Sequence, residues 1–171
     1  MKVIQAELKD MQIIMHIIEC AKRIMRSSGN LTQWSNGYPN QEVIASDIAA
    51  HCGFLCIDDN GSAVAYFAAI PSPDPTYNKI YEGQWIDDKK PYIVVHRIAS
   101  SASRHGVFDT IIDFCTSKID NLRIDTHRDN HIMQHCLLKR GFRYCGIIHL
   151  QNGDERLAYQ LLIRREKISQ M

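Results

Sequence analysis

Surplus charge of either sign is almost absent: twenty Lys and Arg stand against nineteen Asp and Glu, a formal net charge of +1. A chain so balanced carries no broad electrostatic footprint, so nucleic acid and anionic membrane are not its expected partners, and small ligands are. Long hydrophobic runs are missing too. The most apolar stretch, "MQIIMHIIECAKRIM", is broken by Gln12, His16, Glu19 and the Lys22-Arg23 pair, and no small-residue cleavage site follows it. That argues against both a membrane span and a signal peptide. There is no CxxC pair and no dense cysteine framework. Cys20, Cys52, Cys56, Cys115, Cys136 and Cys145 are scattered through periodic segments, as expected of core thiols in a reducing, cytoplasmic setting. Repeats and low-complexity tracts are lacking, and the length suits one domain over residues 1–171, as a monomer or a homodimer.

What is present is a regular change of hydrophobic period. "MKVIQA" alternates like a short strand, and Met11, Ile14, Met15, Ile18, Ala21, Ile24 and Met25 then recur at helical spacing up to a Gly stop. A polar loop, "QWSNGYP", leads to a second helix with Val43, Ile44, Ile48 and Ala49 on one face and Glu42 in its opening turn. "GFLCIDDNGSAVAYFAAI" reads as a hairpin pivoting at Gly61, the Pro-rich "PSPDPTYNKIYEGQW" as a surface excursion, and "PYIVVHRIAS" as a β-branched strand. Helix, strand, helix, strand and strand complete the chain. The expected order is β-α-α-β-β-β-α-β-α-β-β, an α/β (α+β mixed sheet) class: an antiparallel first half joined to a strand-helix-strand crossover with parallel strands.

Two corners of that crossover carry chemistry. In "SSASRHGVF", small residues, two possible cations and Gly106 precede a helix, so the helix-start amides can cradle an anion; an ordinary βα loop would look the same. In "RIDTHRDNHIMQHCLLKRGF", Asp129 or Asn130 can cap a helix whose buried face holds Met133, Leu137 and Leu138 and whose exit is Gly141. A cap needs one polar residue. Thr126, His127, Arg128, Asp129 and Asn130 instead crowd the C-terminal edge of a parallel strand, where ligands of open α/β sheets bind.

"DNHIMQHCLLKRGF" resembles the second motif of the GNAT N-acetyltransferase superfamily, N-x-x-A-x-x-x-Y-x-x-x-G-F, with Asn130, Met133, Leu137, Gly141 and Phe142 in the respective places. "VVHRIASSASRHGVFDTII" resembles the first motif, with Ser103, Gly106 and Phe108 in the diagnostic places of its Q/R-x-x-G-x-G/A signature. "HRIA", "IDTHRDN", "KRGFRYCGII", "ERLAYQ" and "QWSNGYP" are similar to a bacterial subgroup of small GNAT proteins, so the likeness covers nearly the whole chain. It implies an acyl-CoA N-acyltransferase fold and transfer of an acetyl group from acetyl-CoA to a primary amine by direct attack, with no metal. It further implies that the strand Tyr92–Ala99 splays from its neighbour so that the backbone of Ile98 and Ala99 pairs with the pantetheine arm. The amides of Arg104, His105, Gly106, Val107, Phe108 and Asp109 would hold the pyrophosphate, and Asn130 would bond near the pantetheine.

The sequence departs from the pattern at two places. Leu137 stands where the family's proton-donating Tyr belongs, so that role is vacant or moved; Tyr159 or Tyr144 on the following strands can supply a phenol, with Tyr159 slightly preferred, though a strand Tyr is more often a core or rim residue. Phe108 replaces a small residue of the cradle and blocks a backbone contact unless its ring turns aside. As general base, His96 on the strand before the cradle is the first candidate, because imidazole as a class suits proton removal at neutral pH, and His127 is a second of similar chemistry. Arg97 alternates to the face opposite His96, where pairing with an acid is its expected role. His131 and His135 share a helix face but no carboxylate triad completes a metal site. Trp34 and Tyr38 either wall an acceptor pocket or anchor the loop, and His127 borders the same region. The Leu137 departure also motivates an inactive acyl-CoA sensor, and Phe108 a cofactor-free interaction module.

Overall fold

The computed structural model describes residues 1–101 and 105–164. Its elements follow the expected order: β1 (Lys2–Gln5), α1 (Met11–Ser27), α2 (Gln41–Ala49), β2 (Gly53–Ile57), β3 (Ala63–Pro71), β4 (Ile93–Ser100), α3 (Val107–Thr116), β5 (Asn121–Thr126), α4 (His131–Lys139), β6 (Arg143–His149) and β7 (Glu155–Leu162). Short 3-10 turns at Leu8–Asp10 and Pro75–Tyr77 are additions that periodicity does not reveal. The seven strands form one sheet ordered β1-β2-β3-β4-β5-β7-β6, antiparallel throughout except for β4 and β5. The last strand thus slots between β5 and β6.

Both faces of the sheet are covered, and the pleat decides which side chain goes where. Phe67, Val95, Leu122, Ile124 and Tyr159 point to one face and pack with Ile111, Ile112 and Cys115 of α3 and Leu137 of α4. Leu55, Tyr66 and Ala99 point to the other, under Ile14, Ile17 and Ile18 of α1 and Ile44 of α2. Burial of large aliphatic side chains on this scale, roughly 1.5–3 kcal/mol each, is the main force holding the helices to the sheet. Three of the six thiols, Cys56, Cys115 and Cys145, are core residues; Cys20, Cys52 and Cys136 are half-buried. Burial pushes the Cys56 thiol up to about 11 and the Cys115 thiol up to about 12.

The helix α2 differs from its apolar pattern in one position. Ala49 is exposed, whereas Asp47 is buried beside Ile44, because an arginine from the sheet reaches it.

The Pro-rich excursion is not merely surface. Tyr77, Trp85 and Tyr92 form a third core cluster with Val94 of β4, Cys145 and Ile148 of β6 and Ala158 of β7. Tyr77 and Trp85 stack at 5.6 Å. The chain lies so close to β6 that a Cβ on Gly83 would sit 1.9 Å from the Cys145 carbonyl oxygen, a position only glycine can take. Arg123 of β5 explains the attraction: its guanidinium, 1% exposed, lies 4.0 Å from the Trp85 ring centroid and 3.9 Å from that of Tyr92. Its fork also donates to the Asp87 carbonyl and to Asp88, both at 3.1 Å. Arg123→Ala removes a desolvated cation–π pair and leaves a cavity, so the urea midpoint should fall by the equivalent of about 2–4 kcal/mol at unchanged slope. A midpoint within error of the parent would show that the excursion is held by other contacts.

Candidate active site

The parallel pair carries the opening. Strands β4 and β5 are in register only at Ile93 with Leu122 and Val94 with Arg123. Beyond Val94 they part, and a cleft of about 550 Å³ opens between them. Ile98, Ile124 and Thr126 line it along with His96, Arg97 and Asp125. It therefore passes through the sheet from one face to the other.

A bulge in β4 shapes this gap. Opposite β3 the register runs from Ala68 with His96 to Tyr66 with Ala99, so β4 holds one residue more than its partner, and Arg97 takes φ of 54°. The strict alternation expected from the sequence fails here: Arg97 lies on the same face as His96, not opposite. A non-glycine residue in this conformation needs outside support. Arg97 gets it from Asp47, with Nε donating to Oδ2 at 2.8 Å and Nη2 to Oδ1 at 2.5 Å, a two-pronged ion pair with side chains 10% and 6% exposed. The Tyr66 hydroxyl donates to the same carboxylate at 2.8 Å, and Arg97 Nη1 donates to the Tyr38 hydroxyl at 3.0 Å. The expected pairing of Arg97 with an acid is what the structure has.

On the same face, His96 Nε2 is 3.0 Å from Asp74 Oδ2, and its Nδ1 is 3.9 Å from Asp125 Oδ1. The first contact is a hydrogen bond and the second is too long for one; a carboxylate only accepts, so Nε2 is the donor to Asp74 and Nδ1 is the nitrogen left toward Asp125. Burial raises the Asp74 carboxyl, but the bonds from His96 and the Thr76 amide outweigh it, and the net shift is downward from 3.8. Tyr77 donates to Asp125, and burial followed by that carboxylate pushes its phenol well above the ordinary value, so it acts only as a donor. Asp74, Tyr77 and Asp125 were not singled out in the sequence. Asp125 immediately precedes the polar knot of residues 126–130, and a strand histidine beside a Pro-rich loop with two acids, Asp74 and Glu82, is the signal that could have found Asp74.

The remaining expected residues divide by location. Trp34 and Tyr38 line the cleft from the loop after α1. Asn130 also lines it and is the α4 cap, accepting from the Met133 amide at 3.1 Å and donating to Gln33 of that loop at 3.0 Å. His127 borders a second, adjoining cleft. Its Nδ1 accepts from the Asp129 amide, so Nε2 faces the Thr32 hydroxyl at 3.1 Å as donor; burial and then Arg156 hold its pKa below 6.5. Tyr159 pairs with Ile124 in the sheet but does not line the cleft; it is 4% exposed and meets Tyr144 edge-on at 5.7 Å. Burial, then Tyr144, raises its phenol.

At the cradle, Gly106 sits at φ of 84° before α3, with open space where a Cβ would be. Val107 is buried, the Phe108 ring packs against the core under α3, and Asp109 pairs with Arg140 at 3.5 Å. His105 is exposed. Arg104 and Ser103 lie outside the described residues. The fit to an acyl-CoA rests on three features: an unpaired β4 edge at Ile98 and Ala99, an open helix start at Gly106, and a Thr126 hydroxyl that is buried at the cleft with no partner. Among the described residues no group of three His, Cys, Asp or Glu is placed to hold a metal, and no helix is long and apolar enough to cross a membrane.

A mixed sheet that splays at its parallel pair, with a helix start behind the gap and titratable groups before it, is the acyl-CoA N-acyltransferase fold. No family model matches the sequence, and no curated protein does. Among solved structures, a GNAT-family acetyltransferase from Streptococcus agalactiae is 35% identical over 96% of both chains, with a TM-score of 0.87. A GNAT-family acetyltransferase from Listeria monocytogenes is 21% identical over 94% of both, TM-score 0.69. The ribosomal-protein-S18-alanine N-acetyltransferase of Escherichia coli shares the fold at 15% identity, 99% and 98% coverage and TM-score 0.61. The chain belongs to the GNAT acetyltransferase family.

Two outcomes follow from the geometry. Asp47→Ala leaves the Arg97 cation buried without its partner and should cost about 3–5 kcal/mol in thermal or urea denaturation; a loss below about 1 kcal/mol would mean that the bulge stands without the pair. For Asp74, the folded pKa lies below the unfolded one, so its contribution is present above about pH 4 and is lost as pH falls through the folded value. The stability gap between the parent and Asp74→Asn should therefore be widest above pH 4 and close in stronger acid. A gap that does not change with pH would contradict this.

Proposed function

We propose that this chain, working as one domain, is an N-acetyltransferase that moves an acetyl group from acetyl-CoA to a primary amine by direct attack, both substrates occupying the cleft together. The loss of β4–β5 pairing after Val94 carries this reading. Main-chain groups inside a sheet are almost always paired, so an edge left open along a cleft suits an amide-bearing arm that adds as a strand. Ile98 and Ala99 supply that edge, Asn130 and the unpartnered Thr126 hydroxyl stand at its far wall, and the amides from Arg104 through His105, Gly106, Val107, Phe108 and Asp109 receive the pyrophosphate at the α3 start. The inward packing of Phe108 supports room there. The fold-mate NatB complex is described as bound to CoA, which supports the same donor class.

Acetyl-CoA supplies a thioester whose carbonyl a neutral amine can attack. His96 takes the ammonium proton at Nδ1, because Asp74 keeps the other nitrogen protonated. Asp125, held by Tyr77, orients the incoming ammonium beside it. The departing thiolate takes its proton from water, because Tyr159, the phenol expected in that role, is packed in the core and does not line the cleft. Trp34 and Tyr38 wall the acceptor end, with His127 at its border. Leu137, buried in the core where the family's donor stands, favours one rival reading, an acyl-CoA sensor without turnover.

Acetyl-CoA should raise the melting temperature, by the equivalent of about 2.7 kcal/mol at a hundredfold its Kd. Thiol release should follow with at least one member of an amine panel. His96→Gln should lower kcat/KM about 10²–10⁴-fold, whereas Tyr159→Phe should leave turnover near that of the parent, both with the acetyl-CoA shift intact. A shift with no thiol release from any amine would establish the sensor instead, and no shift at all would leave the interaction module.

A further inference from the structure

Arg156 is a cation in the cleft of whose three guanidinium nitrogens two make no hydrogen bond among the described residues. It opens β7, is 8% exposed, and lines both the main cleft and the smaller one beside it. An arginine buried to this degree ordinarily has its fork engaged by a carboxylate or by several carbonyls. Among the described residues its one hydrogen bond runs from Nη1 to the neighbouring Glu155 carbonyl at 3.0 Å. Its nearest acid is Asp125, with Nε to Oδ2 at 4.0 Å, beyond hydrogen-bond reach. The other acids around it are committed elsewhere: Glu155 accepts from Arg128 at 2.6 Å and Asp154 from the Asn152 side chain at 3.0 Å. Burial and then the Arg156 charge lower the pKa of His127 on the far side. Nε and Nη2 are therefore free to receive a ligand.

The position of these donors relative to His96 sets the ligand's size. One carboxylate, Asp125, separates them: Oδ1 lies 3.9 Å from His96 Nδ1 and Oδ2 lies 4.0 Å from Arg156 Nε. The pleat puts Asp125 and Arg156 on the His96 face, since Asp125 pairs with Ala158 two residues along β7. A molecule whose amine sits at His96 and whose anion sits at Arg156 must carry the two groups only a few bonds apart.

Resting on the acetyl-transfer reading above, we propose that Arg156 is the anchor for the carboxylate of the acceptor, which is a free amino acid or a close derivative, acetylated on its α-amino group. The planar guanidinium suits a carboxylate better than any other side chain. Asp125 receives the ammonium and Arg156 the carboxylate, so a zwitterion finds each charge opposite its counterpart. A polyamine would bring a second cation against Arg156. A protein N-terminus would offer it only a neutral carbonyl. The class of acceptor is thereby narrowed from amines in general to α-amino acids.

The test compares free protein amino acids with their α-carboxamides by thiol release in the parent, Arg156→Gln and Arg156→Lys, with the acetyl-CoA thermal shift confirming that each variant is folded. The parent should prefer the best acid over its carboxamide by about 10–100-fold in kcat/KM, as a charged hydrogen bond warrants. Arg156→Gln should collapse that ratio to about one, and Arg156→Lys should keep part of it. Equal rates on acid and carboxamide, or a preference that survives Arg156→Gln, would overturn the amino-acid assignment while the observed thiol release upholds acetyl transfer. Should no amine release thiol, calorimetry of the amino acids against CoA-saturated protein decides: binding lost in Arg156→Gln keeps the anchor and drops the transfer reading, and no binding drops the anchor.

Discussion

The molecule depends on two parallel strands that stop pairing after two residues. Everything chemical in the chain lies along that parting: the open edge of β4, the acids and histidine on one face, the buried threonine hydroxyl and capped helix on the other. A sheet does not open in its interior without cause, because each unpaired main-chain group removed from water costs free energy. The bulge at Arg97 is the local cause. It gives β4 one residue more than β3, and a bulge of this kind increases local twist, which favours parting from β5 beyond Val94.

That bulge is held by a polar network where the apolar pattern of α2 would have an empty face. Asp47 accepts from Arg97 and Tyr66 together, and Arg97 reaches on to Tyr38 in the loop that walls the cleft. Burying two charges is unfavourable unless geometry and hydrogen bonds compensate, which the two-pronged contact and the tyrosine provide. The network ties α2, the acceptor loop and β4 into one unit. The wall of the acceptor end and the edge for the acyl carrier are thus set by the same four side chains.

A second coupling runs through the Pro-rich excursion. Its aromatics close over Arg123 and complete a core, and the same turn of chain that buries Tyr77 delivers Asp74 to His96. Tyr77 then fixes Asp125 from below. Packing energy from Trp85 and Tyr92, far from any reacting atom, is what positions the carboxylates around the imidazole.

Hydrophobic period and turn chemistry were sufficient for the element order, the Gly61 hairpin, the Asn130 cap and the parallel crossover, because each depends on neighbours within a few residues. The polar knot was legible as a site for the same reason: five polar side chains at a strand end exceed what a cap requires. Alternation misplaced Arg97, since a bulge is a two-strand event that one strand's sequence does not encode. Asp74, Tyr77, Asp125 and Arg156 were silent in the chain, lying 19 to 60 residues from His96 in number, and only the closure of the sheet and its excursion brought them around it. Local sequence determined which elements form and where they end; long-range packing alone decided which charged groups meet and which donors, like Nε and Nη2 of Arg156, make no hydrogen bond among the described residues.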